Sequence, residues 1–353
     1  MILHKMKKIT LLLVLSALVL VGCNVGEKVE IEGSSGGDGD GDATVLRLAS
    51  DAPQEHIATE LNNELAEMVK EETEGRVEIE YYPASQLGQY ETVYEEIMRG
   101  TIDAGQITIP DALDAKYGAA YMPYYAKNFE EAGILLAPDS YLSEEIGKLT
   151  AENNVRFLGF VLEGFIGQGF TKELNDVFSP EGNKGVKTRS PGISTFSEPL
   201  KELGFNPVTV PYDEVPTAIQ TKVVDGWVGG TPNMNYAWVG EVINYMYVNY
   251  MYPEATTYVM SEKTLENLSE EDADTVVGLF QQQSEKSFQL SEENEEVYKE
   301  KLAEEHGVEV VEFTEEQVDV YADYIRENVW PELEDELSKE LVDGMRAEIE
   351  KLK

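Results

Sequence analysis

Two stretches of the chain alternate strand-like and helix-like hydrophobic spacing in the same order. In the first, residues 45–49 alternate apolar and polar positions, and 55–73 carry apolar residues at helical spacing that Gly75 ends. Residues 76–82 then place Val77, Ile79 and Tyr81 on one strand face, 90–99 read as a helix, and 104–108 as a strand. In the second, 186–188 is a strand, 193–203 a helix stopped by Gly204, and 206–210 a strand. Pro211-Tyr212-Asp213-Glu214 opens a helix to Lys222, and 223–228 is a third strand. β-α-β-α-β units with short connections imply largely parallel sheets. Elsewhere, 128–153 reads as helices interrupted near Pro138, 155–162 as a buried strand, and 167–171 as the start of another. An aromatic and β-branched strand is expected over 239–250, crossing back to the first half, followed by a strand at 256–260. Ser261-Glu262 reads as a helix start, and Ser269 opens a long, acid-rich helix at 270–305 whose charges read as a solvated face. A strand at 308–313 and helices at 314–329 and 332–352, broken at Pro331, close the chain. The expected fold class is α/β with long C-terminal helices.

Residues 1–43 show neither rhythm. Lys5, Lys7 and Lys8 precede an apolar run of 13 residues at 9–21, too short to span a bilayer as a folded helix. Leu20-Val21-Gly22-Cys23 resembles the lipobox of bacterial lipoproteins. Residues 1–22 are therefore expected to be a signal peptide, and Cys23 a lipidated mature N-terminus that anchors the chain to a membrane. A buried structural cysteine is the other reading. Residues 23–43 are Gly-, Ser- and Asp-rich and cannot bury a core, so they read as a flexible acidic tether. The Asp-Gly alternation there lacks the spacing and terminal Glu of an EF-hand.

Charge narrows the partners. Lys and Arg number 27 against 68 Asp and Glu, a net of −41. Without Lys5, Lys7 and Lys8 the balance is 24 against 68, or −44. Such a surface repels nucleic acid and anionic headgroups, so no nucleic-acid partner is expected. An anionic ligand is repelled at long range too, but at ~1 M salt a Debye length of ~3 Å leaves only contact charges effective. An acidic, hydrated surface suits a salty or alkaline exterior. The single cysteine excludes an internal disulfide. Of three histidines, His4 lies in the leader and His56 and His306 are far apart, which leaves little material for a histidine metal site or a Ser-His-Asp triad. No nucleophile–base pair or phosphate loop stands out, so no enzyme is expected.

The candidate chemistry lies in the second β-α-β-α-β stretch. Ligands of open α/β sheets bind at the carboxyl ends of strands. Arg189 ends the first strand of this stretch, and a guanidinium donates two parallel hydrogen bonds to a carboxylate. Arg189 is therefore expected to hold the carboxylate of a small organic acid; a surface arginine is the alternative. Trp227, near the end of the third strand, is expected either to cover an apolar part of the ligand or to pack between the lobes.

Several motifs occur in the order and spacing of one family. They are Tyr82-Pro83-Ala84-Ser85-Gln86-Leu87-Gly88, the helix at 91–98, Gly100-Thr101-Ile102-Asp103-Ala104, Tyr121-Met122-Pro123-Tyr124, Lys187-Thr188-Arg189 and Val224-Asp225-Gly226. Over residues 44–353 the chain resembles the extracytoplasmic solute receptors of tripartite ATP-independent periplasmic (TRAP) transporters, the DctP-type family. The resemblance implies a two-lobed periplasmic-binding-protein-like fold, each lobe a twisted mixed sheet flanked by helices with a ligand cleft between them, with lobe I at 44–163 plus 251–300 and lobe II at 164–250 plus 301–353. It also implies an extracytoplasmic, lipid-anchored protein that captures a small organic carboxylate, hands it to TRAP-type membrane permease subunits and catalyses nothing. Arg189 falls on the family's principal carboxylate clamp. Gln168 falls where many members have a second arginine and where the keto-acid and lactate branch has a glutamine. In that branch Na⁺ or Ca²⁺ sits between the glutamine and acidic side chains, and Glu254 is the matching acid here; hard cations take such oxygen ligands. No cofactor is required, and this ion is the one the resemblance implies, with Gln168 otherwise a neutral hydrogen-bond donor. The branch also has a Trp whose backbone carbonyl binds the ion, which Trp227 resembles, but the Glu before it is Gly226 here. The family's ligand-binding Asn is not carried over, because Gly226 is followed by Trp227-Val228-Gly229-Gly230; Asn233 and Asn235 are expected to cap or line the next helix. Thr108 and Tyr124 are the expected ligand contacts of the first lobe. A binding lipoprotein of an ABC importer for a sugar or amino acid, and a ligand-sensing lipoprotein without a transport role, are the other readings.

Overall fold

The computed structural model describes residues 43–352. The expected signal peptide, the lipidation site Cys23 and the tether up to residue 42 lie outside the described residues. Strand β1 (Thr44–Ser50) buries Leu46 and Leu48 on one face. His56 caps α1 (Ile57–Glu72) by accepting from the Ala58 N–H, which satisfies one of the orphan donors of a helix start. β2 (Val77–Tyr82), α2 (Tyr90–Arg99) and β3 (Ala104–Ile107) complete the first β-α-β-α-β unit. α2 stops at Gly100, whose φ of 72° is the left-handed cap that glycine adopts freely. A 3₁₀ turn (Ala115–Tyr121), α3 (Phe129–Leu135) and α4 (Tyr141–Ala151) lead into β4 (Val155–Phe165). Then follow β5 (Gly167–Phe170), β6 (Lys187–Ser190), α5 (Ser194–Glu202), β7 (Asn206–Thr209), α6 (Val215–Gln220), β8 (Gly226–Gly230), α7 (Pro232–Val239) and β9 (Tyr245–Val248). β10 (Pro253–Ser261), α8 (Glu262–Asn267), α9 (Glu270–His306), β11 (Glu309–Glu312), α10 (Glu315–Asn328), α11 (Trp330–Leu337) and α12 (Lys339–Glu350) finish the chain. No helix among the described residues is long and apolar enough to cross a membrane.

Two expected strands differ. The one at 223–228 begins only at Gly226, because the Val223 and Val224 amides close a turn on the Ala218 carbonyl. The one at 239–250 is confined to Tyr245–Val248, because Val239 ends α7 and the Val242 and Ile243 amides close a turn on its carbonyl. Thr231 caps that helix by accepting from Met234 N–H, and Pro232 stands in its first turn.

The strands form two sheets. The first has the order β2-β1-β3-β10-β4, with β1 parallel to both neighbours and β10 antiparallel to both of its own. The second has the order β11-β9-β5-β8-β6-β7, with β6 parallel to β7 and β8 and β5 antiparallel to β8 and β9. The chain crosses from the first sheet to the second between β4 and β5 and returns between β9 and β10. The Ile166 N–H donates to the Tyr252 carbonyl at 2.9 Å and ties the two crossings together.

Helix α9 is more than a solvated face. Ser284 Oγ donates to the Phe160 carbonyl at 2.6 Å, Ser287 Oγ accepts from Leu162 N at 2.9 Å, and Glu295 Oε2 accepts from Phe165 N at 2.6 Å. The approach to β4 is close: a Cβ at Gly159 would stand 2.4 Å from Ser284 Oγ, and one at Gly164 2.9 Å from Glu295 Oε2. Small and hydrogen-bonding residues on a charge-rich helix are thus its seam with the first sheet. Further along, Lys299 donates to Glu312 at 2.6 Å beside the second sheet. The C-terminal helices divide in a similar way. Tyr321 on α10 donates to the Val177 carbonyl at 2.6 Å, whereas Trp330 on α11 donates to the Pro123 carbonyl at 2.9 Å and α12 receives Tyr125 at Glu348. The expectation that residues 301–353 brace the second lobe therefore differs from the packing of α11 and α12, which sit against the 3₁₀ turn and α4. Helical periodicity reveals a buried face without naming what covers it.

Candidate ligand-binding site

Arg189 lies in β6 between β8 and β7, opposite Trp227 and Val208. At the carboxyl end of this parallel strand it is buried, 4% exposed. Its Nε donates to the Val210 carbonyl at 3.0 Å, and its guanidinium stands 5.9 Å from the centre of the Tyr212 ring. Among the described residues its two Nη groups have no hydrogen-bond partner. They border a cavity lined from the second sheet by Arg189, Gly229 and Gly230 and from the first by Asp51, Thr108, Glu163 and Glu254. Burial lowers the Arg189 pKa to about 10, so the group stays cationic at neutral pH. The cavity measures about 100 Å³. A single water needs only ~10–15 Å³ on that scale, so there is room for a small organic molecule or a handful of waters.

The wall facing Arg189 is acidic. Tyr121 donates to Glu254 Oε1 at 3.0 Å and shares a 2.8 Å hydrogen bond with Thr108. Burial first, and then the neighbouring Glu163, push the Glu254 carboxyl well above the usual carboxylate range. Glu163 Oε1 accepts from Gln106 Nε2 at 2.8 Å and from Thr256 Oγ1 at 2.7 Å. Behind it, His56 Nε2 stands 3.4 Å from Glu163 Oε2 without hydrogen-bond alignment. Burial holds His56 below its ordinary pKa, so it is no counter-cation. Asp51, just past β1, accepts from Ser85 Oγ at 2.7 Å, and burial raises its carboxyl to about 6.

Arg189, Thr108 and Glu254 thus meet in one cavity, and the other expected contacts do not line it. Trp227 is fully buried and donates through Nε1 to Asn235 Oδ1 at 2.9 Å, among the α7 residues. It forms the underside of the cavity floor: a Cβ at Gly230 would stand 2.4 Å from its ring. Tyr124 is buried against the return crossing, where its OH donates to the Asn249 carbonyl at 3.1 Å and its N–H to the Met251 carbonyl at 2.7 Å. Gln168 is buried in β5 with its Nε2 unpartnered, away from the cavity lining. Gln168 is thus not among the residues that line the cavity with Glu254. Gly226 has its own reason. A Cβ there would stand 2.1 Å from the Gly169 carbonyl, so β5 and β8 pack too closely for the branch's Glu.

Sequence reasoning missed Asp51, Glu163, Tyr121 and Tyr212. Asp51 and Tyr212 follow strands β1 and β7, where the strand-end rule applies as it does to Arg189. Glu163 interrupts the apolar run of β4, itself a signal, since a buried carboxylate needs partners. The glycine pair at 229–230 is the close-approach signature. Gly229 has φ 139°, and a Cβ there would stand 2.9 Å from Arg189 Nη1. Gly229→Ala is expected to cost about 1–3 kcal/mol of stability through backbone strain and to weaken Arg189-dependent binding. Denaturant melts and calorimetric titration check both; undiminished affinity would show that the guanidinium yields freely.

A cleft between two mixed α/β sheets, with an unpaired buried guanidinium inside, defines the class of two-lobed solute-binding proteins. The chain belongs to bacterial extracellular solute-binding protein family 7, whose sequence profile matches residues 48–335. It is 24% identical over 241 residues to the sialic acid-binding periplasmic protein SiaP of Vibrio cholerae, covering 66% of this chain and 72% of that protein. An uncharacterized protein of Haemophilus influenzae is 31% identical over 188 residues, 52% of this chain and 55% of that one. The chain thus spans about half the length of the first curated relatives it matches. Among solved structures, the sugar acid binding protein DctPAm of Advenella mimigardefordensis, in complex with galactonate, has a TM-score of 0.79 at 20% identity, covering 89% of this chain and 100% of that one. A TRAP periplasmic solute binding protein of Haemophilus influenzae with bound L-gulonate has a TM-score of 0.75 at 23% identity, covering 86% and 99%. These structures share the fold.

Proposed function

We propose that this protein captures a small organic carboxylate outside the cell and delivers it to TRAP-type membrane permease subunits, held at the membrane by a lipid on Cys23. The observation that carries the reading is the Arg189 guanidinium, buried at the carboxyl end of β6 with both Nη groups free to grip a carboxylate. Galactonate and L-gulonate, the molecules bound in the similar structures, are both carboxylates. Closure of the two lobes about their crossing strands buries the acid, and exclusion of water strengthens the ion pair. The cavity binds and releases; it transforms nothing.

A thermal-shift screen of the purified protein in high salt tests this, because a ligand bound to the native state raises the melting temperature by mass action. The panel holds mono- and dicarboxylates, sugar acids, keto acids, amino acids and neutral sugars. Stabilisation by molecules that carry a carboxylate is the expected result. Stabilisation by neutral sugars alone would overturn the reading.

A further inference from the structure

The acidic wall of the cavity is not explained by a plain carboxylate ligand. Asp51, Glu163 and Glu254 border the same space as Arg189, and among the described residues no other Lys or Arg lines it. Each carboxylate is held by neutral donors: Asp51 by Ser85 at 2.7 Å, Glu163 by Gln106 at 2.8 Å and Glu254 by Tyr121 at 3.0 Å. None of them is hydrogen-bonded to Arg189, a buried residue of the same lining whose Nη groups have no hydrogen-bond partner among the described residues. The cavity therefore keeps a cation and an acidic wall apart, and buried charges left uncompensated are costly. A bare carboxylate compensates Arg189 and then adds a fourth acidic group beside the other three. Among the described residues no three His, Cys, Asp or Glu side chains gather closely enough to hold a metal ion. An organic cation needs no such tight cage, because its N–H donors reach dispersed oxygens one at a time.

We propose that the ligand is a zwitterion, with a carboxylate for Arg189 and an ammonium or amidinium group for the wall formed by Asp51, Glu163 and Glu254. This rests on the carboxylate-receptor reading above and narrows its ligand class. The carboxylate end finds charge-assisted hydrogen bonds at Arg189 and the cationic end finds them at the wall, and a zwitterion adds no net charge to the cavity where an anion adds a negative one.

Calorimetric titration of the purified protein in high salt tests it with molecules of similar size. Alanine, proline, 4-aminobutyrate and trimethylglycine are set against lactate, pyruvate, butyrate and succinate at millimolar concentration. At least one zwitterion is expected to bind roughly tenfold or more tighter than any of the acids. The isosteric Asp51→Asn/Glu254→Gln double variant, shown to be folded by its melting curve, is expected to erase that preference. Acids binding as tightly as zwitterions, or a preference that survives the double variant, overturns the zwitterion and leaves the carboxylate receptor standing. A panel in which neither class binds overturns both.

Discussion

Arg189→Ala is expected to weaken carboxylate binding by ~100-fold or more, because a charged hydrogen bond contributes ~1.5–3 kcal/mol and a bidentate grip makes two. The same change should leave the empty protein nearly as stable as before. Arg189 forms one hydrogen bond, to Val210, and burial already disfavours its charge. Removing it costs that bond and relieves the desolvated cation, two effects of opposite sign and each of about 1–3 kcal/mol. Arg189→Lys keeps a charge without the planar fork and should fall between wild type and alanine. Titration calorimetry for affinity and urea melts for stability separate the terms. A large stability loss with unchanged affinity would make Arg189 a structural residue and leave the family's ligand class without its anchor here.

Trp227→Ala acts the other way round, and its first effect is on folding. The indole is fully buried among Val210, Met234, Val239 and Met246, so truncation should cost about 3–5 kcal/mol. Asn235 Oδ1 also loses its donor. Because the ring lies directly beneath Gly230, the cavity floor loses its support as well, and affinity should fall even where the variant still folds. Trp227→Phe keeps most of the packing, loses the hydrogen bond, and should cost about 1–3 kcal/mol. Denaturant midpoints of the three proteins test this order. An alanine variant within 1 kcal/mol of wild type would contradict the packing role on the ordinary scale for buried aromatics.

The contrast between these residues marks how far the chain reads directly. Arg189 was legible because a strand, a turn and a guanidinium are consecutive in the chain, and the strand-end rule needs nothing else. Trp227 and Gly226 belong to the same stretch, yet their roles depend on β5, which contributes the Gly169 carbonyl and comes from an earlier part of the chain. Tyr124 shares a motif with Tyr121, and only the return crossing decides that Tyr121 reaches Glu254 while Tyr124 turns to Asn249 and Met251. α9 reads as a solvated face because Ser and Glu are polar, and its fit to Gly159 and Gly164 is a property of two distant segments.

The sequence by itself determined the two β-α-β-α-β halves, the extreme acidity and the placing of one arginine, Arg189, at a strand end. Hydrophobic period, glycine stops and residue charge act locally, within a turn or a strand. Tertiary structure alone decided that Asp51, Glu163 and Glu254 line one cavity with that arginine. They arrive on separate segments, and their carboxyls are shifted and their charges made costly only where burial takes water away from them.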